Sequence, residues 1–472
     1  MSRFDQLWPN QQEALTFALQ RPATMLDMDM GTGKTRVALE YMLEVAPRHV
    51  LVLCPKSVMP VWPREIDKHG PYPVDFRVWT AQGSRTVAKK ADEIRQMLED
   101  QPVHAHEIWV FVMNYDIVWR NEMRHAVDRI NPDLIILDES HRAKAPNSKI
   151  SKYLAMMGRR TRYKLCLSGT PMANSPLDVY GQYRFLDNTI FGTRYDMFRE
   201  EYAILGGPER NFVVGFKNQD KLMRKFRTLA YSCKMDDIKD RLKLPDKLPH
   251  RVVEVDLPAA DMKLSKQLAK EFIAEVDNGQ ASGTIVLKNV LHKLLRLQQI
   301  TSGFAMAQDG LLEAPAPVEL NAAKEEAIYE LMLDMSSSAR LVVFVVFKHD
   351  IRAVIRSATK AEKRVFQLSG EANQLEQWNR SGGVLVVQIQ AGAEGIDLTS
   401  ANTCIYYSLP TSVALYEQSM ARLYRPGQTR SVLFIHLVAT GTVDVDMLHS
   451  MNRKRSLFED FMKGERNYGF LR

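Results

Sequence analysis

Met28-Asp29-Met30-Gly31-Thr32-Gly33-Lys34-Thr35 is the stretch whose reading decides the fold. A short apolar segment, Ala23 to Leu26, runs ahead of it, and Arg36 to Leu43 follows with the pattern of the first turns of a helix. Strand, glycine-rich turn and helix in that order make a phosphate cradle. The glycines let backbone N–H groups turn toward an anion, and the helix N-terminus adds a partial positive charge. In such a loop Lys34 reaches the β- and γ-phosphates of a nucleotide and the Thr35 hydroxyl ligates Mg²⁺. Met28 stands where the longer G-x-x-x-x-G-K-[ST] pattern has its first glycine, so the shorter G-x-G-K-T form is what is present.

Outward from the loop, short apolar runs recur at His49 to Cys54, Ile108 to Met113, Leu134 to Leu137 and Tyr163 to Leu167. Helical patterns separate them, an alternation that predicts a parallel sheet covered on both faces. Upstream, Leu7-Trp8-Pro9-Asn10-Gln11 leads into an amphipathic helix over Gln12 to Leu19, started by the proline. From about Leu186 to Phe304 the pattern turns mostly helical. Met262, Leu264, Leu268, Phe272, Ile273 and Val276 recur at helical spacing, as do Val286, Leu287, Val290, Leu291, Leu294, Leu295 and Leu297. Gly206-Gly207-Pro208 is a loop within this block, and Gln308 to Leu320, with Ala314-Pro315-Ala316-Pro317, reads as a linker. A second series of strands follows at Leu341 to Phe347, Val384 to Ile389, Thr403 to Tyr407 and Val432 to Leu437. The fold expected is α/β, with two parallel-sheet lobes (1–187 and 321–472), a helical region (188–307) and a linker (308–320) between them.

Composition sets the outer bounds. A chain of 472 residues with 45% hydrophobic and 25% charged residues is that of a globular protein of about three domains, not a disordered or fibrous one. The net charge of +7 permits a polyanionic partner without demanding one. Cys54, Cys166, Cys233 and Cys404 form no C-x-x-C pair and read as core thiols in a reducing compartment, neither a disulfide framework nor a zinc site. Met1 to Gln6 carries no signal peptide and no apolar run is long enough to cross a bilayer, so a soluble, cytoplasmic protein is expected.

Leu134-Ile135-Ile136-Leu137-Asp138-Glu139-Ser140-His141 delivers two carboxylates at the C-terminal end of a strand, where ligands bind in open α/β sheets. In that setting Asp138 holds Mg²⁺ and Glu139 orients and deprotonates the water that attacks the γ-phosphate. Ser168-Gly169-Thr170-Pro171, after the next strand, is a turn able to sense the γ-phosphate. Far downstream, Gln418-Ser419-Met420-Ala421-Arg422-Leu423-Tyr424-Arg425-Pro426-Gly427-Gln428 spaces two arginines by three, which on a helix puts both guanidinium groups on one face to meet the charge of a phosphoryl transition state. His104-Ala105-His106-Glu107 has no further ligands at suitable spacing and is not read as a metal site.

In their order, these stretches resemble the Swi/Snf-type DNA-dependent ATPases, the chromatin-remodeller-like group of helicase superfamily two, over nearly the full chain. Leu7 to Gln11 is similar to that family's adenine-recognising motif, which makes Gln11 the base contact. Met30 to Thr35 resembles motif I, Cys54-Pro55-Lys56-Ser57 motif Ia, Asp138 to His141 motif II and Ser168 to Pro171 motif III. Gly392-Ala393-Glu394-Gly395-Ile396-Asp397-Leu398 resembles motif V and Gln418 to Gln428 motif VI. Cys233-Lys234-Met235-Asp236-Asp237 with Leu244-Pro245-Asp246-Lys247, and Leu294 to Ile300, look like the segments that flank the family's helical protrusions.

The resemblance implies two RecA-like lobes and ATP with Mg²⁺ as cofactors. Gln11, Gly31, Thr32, Gly33, Lys34, Thr35, Gly395, Asp397 and Gln418 then serve nucleotide binding, Lys34, Asp138, Glu139, Arg422 and Arg425 catalysis, and Ser168, Gly169 and Thr170 coupling. It implies double-stranded DNA as partner, met through its backbone near Lys56, Ser57, Asn114, Tyr115 and Gly392, by a monomeric motor with no membrane contact. Translocation without strand separation is expected. A strand-separating helicase, an RNA-dependent ATPase and a motor subunit or scaffold in a larger DNA-processing or defence assembly remain as alternatives. Met28-Asp29 replaces the family's usual Asp-Glu, Ser140 its usual Ala, and Leu423-Tyr424 and Pro426 depart from motif VI. These departures leave every catalytic group in place and point to a divergent branch, with the compact chain suggesting a bacterial or phage member.

Overall fold

Buried apolar runs become strands wherever both faces of a sheet are covered by helices, and that rule shapes both halves of this chain. The computed structural model describes residues 6–70, 74–99, 107–172, 175–206, 212–277, 283–306, 317–336, 339–392 and 396–453. The chain divides into two compact units, Met1–Lys243 and Leu244–Arg472.

The first unit contains β1 (Ala23–Met28), β2 (His49–Cys54), β3 (Asp75–Thr80), β4 (Glu107–Asn114), β5 (Leu134–Asp138) and β6 (Tyr163–Ser168). An antiparallel hairpin follows, β7 (Ala203–Gly206) with β8 (Phe212–Phe216), and then β9 (Ala230–Cys233). Seven of these strands form one parallel sheet in the order β3-β4-β2-β5-β6-β1-β9. Every residue of β1 and β5 is buried, so the sheet interior is continuous core. The register aligns Leu53 with Leu137, Asp138 with Leu167, and Asp27 with Ser168. The turns after β1, β2, β5 and β6 therefore share one edge, the carboxyl edge at which α/β sheets bind ligands.

The second unit contains β10 (Arg251–Val255), β11 (Phe304–Met306), β12 (Pro317–Glu319), β13 (Arg340–Val345), β14 (Val365–Leu368), β15 (Gly383–Gln388), β16 (Thr403–Tyr406) and β17 (Leu433–Ala439). Six of them make a parallel sheet in the order β10-β17-β16-β13-β15-β14, while β11 and β12 pair antiparallel. Ile328 and Met332 from helix Ala323–Leu333, and Ile351, Val354 and Ala358 from helix Lys348–Lys360, share one core with Val343, Val345, Val384, Val386 and Ile405 of the sheet. Helix Gly283–Thr301 is tied to this unit through Gln298, whose Nε2 donates to Leu409 O at 2.7 Å. It is tied again through Thr301, whose hydroxyl donates to Asp444 Oδ1 at 2.9 Å. Asp444 also holds Lys324 in a buried ion pair at 2.6 Å.

Three expectations are refined by these elements. The stretch 188–307 is divided between the two units at Lys243 and Leu244, and it carries β7, β8, β9 and β10 as well as helices. Pro317–Glu319, read as the end of a linker, is instead strand β12 paired with Phe304–Met306, because the extended backbone that proline prefers can pair at an edge. Residues 308–316, Gly207 and Pro208 lie outside the described residues. The run Leu341 to Phe347 stops as a strand at Val345, where Val346 N turns to Ser408 Oγ at 2.8 Å. All four cysteines are buried and unbridged, and among the described residues no helix is long and apolar enough to cross a membrane.

Candidate active site

The glycine-rich loop joins β1 to helix Lys34–Val45, whose first turn contains no acidic residue. Its positive end thus carries no carboxylate from the helix itself. Gly33 is the N-cap residue with φ +90°, a backbone that favours glycine, and a Cβ there would displace the Gln11 amide, whose Nε2 would lie 2.0 Å away. Gln11 is 5% exposed. Its Nε2 donates to Thr32 O at 3.4 Å and its Oε1 accepts from Trp8 N at 3.0 Å, while Asn10 Nδ2 donates to the same Thr32 O at 3.0 Å. The Thr32 hydroxyl closes the loop on Asp29 O at 2.7 Å. Lys34 Nζ lies across the loop, donating to Met28 O at 2.7 Å and Asp29 O at 3.2 Å, and Thr35 sits half-buried in the first helical turn.

The loop's entry is clamped from β9, an arrangement that sequence spacing did not signal. Ser232 Oγ donates to Asp27 Oδ2 at 2.8 Å, and Lys234 Nζ reaches Asp27 at 3.4 Å and Asp29 at 3.2 Å. Met235 N donates to Asp29 Oδ2 at 2.9 Å. Only the parallel pairing of β1 with β9 brings residues 205 positions apart together.

At the end of β5, Asp138 and Glu139 are 6% and 7% exposed. Burial pushes the Asp138 carboxyl up to about 7, with the neighbouring Glu139 charge adding to the rise. The Lys34 ammonium and the Trp62 indole act in the opposite direction, so the loop lysine and the strand-end acid feel one another. Trp62, fully buried, donates its Nε1–H to Asp138 Oδ2 at 3.1 Å, and Tyr115 donates its hydroxyl to Asp138 O at 2.8 Å. Glu139 takes a left-handed backbone (φ 52°), and its carboxylate lies 3.3 Å from His141 Nδ1. Ser140 Oγ donates to Gln182 Oε1 at 2.7 Å, and Gln182 Nε2 donates to Pro171 O at 2.7 Å, which joins the turn after β5 to the turn after β6.

That second turn is the Ser168-Gly169-Thr170 stretch. Ser168 Oγ accepts from Thr170 N at 3.1 Å and sits 3.4 Å from His141 Nδ1. A Cβ at Gly169 would meet Met28 O at 3.3 Å and Asp29 Cα at 3.5 Å, so this turn lies against the backbone of the glycine-rich loop. The loop, the acid pair and the Ser168–Thr170 turn thus form a single cluster in the first unit.

In the second unit, helix Val413–Leu423 is capped by Ser412, whose hydroxyl accepts from Leu415 N at 3.4 Å. Arg422 and Gln418 are buried on this helix, at 7% and 9% exposure. The expectation that Arg422 and Arg425 share one helical face is corrected: the helix ends at Leu423, so Arg425 lies beyond it. Pro426 is the physical reason, since a residue preceding proline is pushed out of the helical region. Arg425 Nη1 donates instead to Ile396 O at 3.5 Å, and its Nε is a buried donor without a partner. Gln428 holds this corner, donating from Nε2 to Ala401 O at 2.8 Å and accepting from Arg430 N at 3.1 Å. Asp397 caps its own turn through Thr399 N at 2.9 Å and the Thr399 hydroxyl at 2.7 Å. Gly395 lies outside the described residues, and Gly392 ends a short helical turn, Ile389–Gly392.

Among the expected DNA contacts, Lys56 and Ser57 are exposed on the turn after β2. Asn114 and Tyr115 are not: they are 4% and 6% exposed, Asn114 as the last residue of the interior strand β4 and Tyr115 as the buried residue that follows it. The Tyr115 hydroxyl is spent on Asp138, as above. Glu107 is engaged by Arg77 at 3.1 Å and by Trp109 Nε1 at 3.1 Å, and His104 to His106 lie outside the described residues.

With this geometry in hand, the chain can be placed among known proteins. Residues 10–304 match the SNF2-related domain and residues 323–427 the helicase conserved C-terminal domain. The chain belongs to the SNF2-related family of helicase-like proteins. It is 24% identical over 462 residues to the yeast ISWI chromatin-remodeling complex ATPase ISW1 of Saccharomyces cerevisiae, covering 92% of this chain and 38% of that protein. It is 23% identical over 459 residues to a putative ATP-dependent helicase/translocase, YwqA, of Bacillus subtilis, covering 93% and 46%. The chain thus spans about two fifths of the length of the curated relatives it matches. Among solved structures, the Sulfolobus solfataricus SWI2/SNF2 ATPase core in complex with dsDNA aligns with a TM-score of 0.43 at 22% identity, covering 97% of this chain and 93% of that one.

Proposed function

We propose that this chain is an ATP-dependent translocase on double-stranded DNA. The observation that supports it most is the convergence, at neighbouring strand ends of one sheet, of the Lys34 loop with the buried pair Asp138–Glu139. A cation-bearing loop with open N–H groups beside two buried acids is the apparatus for binding a nucleoside triphosphate and directing water at its γ-phosphate.

In this reading Gly31, Gly33 and the first turn of helix Lys34–Val45 hold the phosphates, and Lys34 leaves the loop carbonyls to meet the β- and γ-oxygens. Gln11 serves the adenine from the side of the loop, through the same amide that braces Thr32. Glu139 accepts the proton of the attacking water, and His141 and Ser168 hold it in register with the coupling turn. Thr35 and Asp138 offer hard oxygen donors of the kind Mg²⁺ takes, and a divalent cation would relieve the charge that burial makes costly at Asp138. When bound there, the ion neutralises charge developing between the phosphates. Arg422 and Arg425 of the second unit, with Gln418, Gly395 and Asp397, complete the site on closure, so that hydrolysis drives a step along the DNA backbone. Lys56, Ser57 and the loop at Gly392 meet phosphates, giving sequence-independent and salt-sensitive binding.

The test is steady-state ATP hydrolysis with single-stranded DNA, duplex DNA and duplex RNA, followed by triplex displacement against fork unwinding. Duplex-stimulated turnover with displacement of a third strand and no fork opening is expected. Stimulation by RNA alone, or efficient fork unwinding, would replace the reading with one of its helicase alternatives.

A further inference from the structure

We propose that Trp62 and Tyr115 are the positioning residues through which duplex DNA sets the geometry of Asp138, an inference that rests on the DNA-dependent ATPase reading above. The turn after β2 presents Lys56 and Ser57 at the surface. That turn is tightly wound: Val58 N and Met59 N both donate to Pro55 O, at 3.0 and 3.2 Å, and Val61 N donates to Val58 O at 2.9 Å. It passes directly into helix Val61–His69, whose second residue is Trp62. Lys56 is thus separated from Trp62 by one hydrogen-bonded turn and no slack. The indole is fully buried and ends on Asp138 Oδ2.

A second path runs from the neighbouring strand. Tyr115 follows the last residue of β4, which pairs with Cys54 at the end of β2, and its hydroxyl ends on the main-chain oxygen of the same Asp138. One residue is therefore held at its carboxylate from one strand end and at its backbone from another. Buried Trp and Tyr need hydrogen-bond partners wherever they sit, so either contact alone would signify only that need. Their convergence on the residue placed at the metal and γ-phosphate is what satisfaction of two separate polar groups does not require. Close-packed interiors transmit small displacements. A shift of the Lys56 turn on meeting a DNA phosphate moves Trp62, and with it the Asp138 carboxylate, into or out of line with Thr35. The two aromatic residues act through Asp138 and touch neither DNA nor nucleotide.

The experiment compares the intact chain with Trp62→Phe, Tyr115→Phe and Lys56→Ala, measuring ATP turnover without DNA and across a duplex DNA titration. The expected result for Trp62→Phe is a fall of roughly tenfold in the ratio of DNA-saturated to DNA-free turnover, with the half-saturating DNA concentration within about twofold. Tyr115→Phe lowers the ratio by about threefold. Lys56→Ala does the reverse, raising the half-saturating concentration while keeping the saturated ratio. If both aromatic variants lower DNA-free and DNA-saturated rates by one common factor, their role is structural and the inference falls. If Trp62→Phe melts below the assay temperature, Tyr115→Phe decides, since it removes one hydroxyl and little packing. A wild-type chain that duplex DNA fails to stimulate overturns the DNA-dependent reading itself, an outcome distinct from a preserved ratio.

Discussion

In each unit an interior strand of a parallel sheet runs into a helix, and the two helix N-termini are finished in opposite ways. After β1 the chain makes a loop through Gly31 and Gly33, and helix Lys34–Val45 begins with no carboxylate in its first turn. After β13 the chain turns at Phe347, and Asp350, in the first turn of helix Lys348–Lys360, accepts from Phe347 N at 3.2 Å and from the Ser408 hydroxyl at 2.6 Å. The first N-terminus is open to an external anion, and the second is filled by the chain's own. Among the described residues, each unit also buries an acid whose affinity for protons rises. Asp138 is pushed up to about 7 and Asp350 up to about 6, each chiefly by burial. The same architecture thus gives one helix start without a first-turn carboxylate and one that carries its own. What differs is a glycine loop and the placement of one carboxylate.

The largest effect that can break this comparison comes from Lys34→Ala. It removes the cation of the open N-terminus, and turnover should fall by about 10⁴-fold or more, with duplex DNA binding retained. Glu139→Gln should approach the same loss while ATP still binds, because only the proton acceptor is gone. ATPase rates and filter binding on the same preparations check both. Full turnover in either variant would remove the first unit from the chemistry.

The next effect belongs to the second unit. Arg425→Ala should lower kcat by about 10³-fold, at the lower end for an arginine that stabilises phosphoryl transfer, with KM for ATP within about threefold. Its position beyond the helix end, with a buried Nε lacking a partner, fits a side chain kept for a ligand the fold does not supply. A variant that loses ATP affinity but keeps kcat would reassign Arg425 to ground-state binding.

How much of this was readable in advance follows one physical line. The strands expected from apolar runs are all interior: β1, β2, β4, β5 and β6 in one sheet, and β13, β15, β16 and β17 in the other. In these two parallel sheets the four strands that the runs do not mark are the four edges, β3, β9, β10 and β14. An edge strand such as Asp75–Thr80 or Arg251–Val255 is half-exposed, so its residues mix charge with apolar character and leave no continuous run. The site divides the same way. Gly33, Lys34, Asp138 and Gly169 lie on local patterns that a loop or strand end requires. Trp62, Gln182 and Lys234 reach the same cluster only through pairing of distant strands, and spacing along the chain says nothing of them. Arg425 was legible as a residue but not as a position, because Pro426 ends the helix that the three-residue spacing presumes.

A smaller effect tests the self-filled N-terminus. Asp350 is fully buried, and its carboxyl is raised from 3.8 to about 6. The unfolded chain therefore releases this proton first as pH rises, and the penalty on the folded chain grows until pH passes about 6 and is constant above it. The penalty is absent below about 4 and reaches about 3 kcal/mol above about 6. Asp350→Asn keeps an acceptor for Phe347 N without the charge, so the variant's stability relative to wild type should improve as pH rises from 4 to 7. Urea unfolding at a series of pH values reads this directly. A pH-independent difference would show that Asp350 is not the titrating group.

The mildest effect separates the two buried acids from one another. Asp138 is ionised in the free chain only above about 7, so below that pH a proton competes with the cation that Asp138 is proposed to hold. The KM for Mg·ATP should rise about tenfold per pH unit below 7, and higher Mg²⁺ should move that onset downward. Asp350, whose Oδ2 is held by Phe347 N and the Ser408 hydroxyl, is not proposed to hold a cation and should not respond to Mg²⁺. Its titration, followed through the stability of wild type against Asp350→Asn, should stay where it is when Mg²⁺ is added. If Mg²⁺ moves neither onset, Asp138 is not a cation ligand. The difference between the two units would then rest on the glycine loop alone.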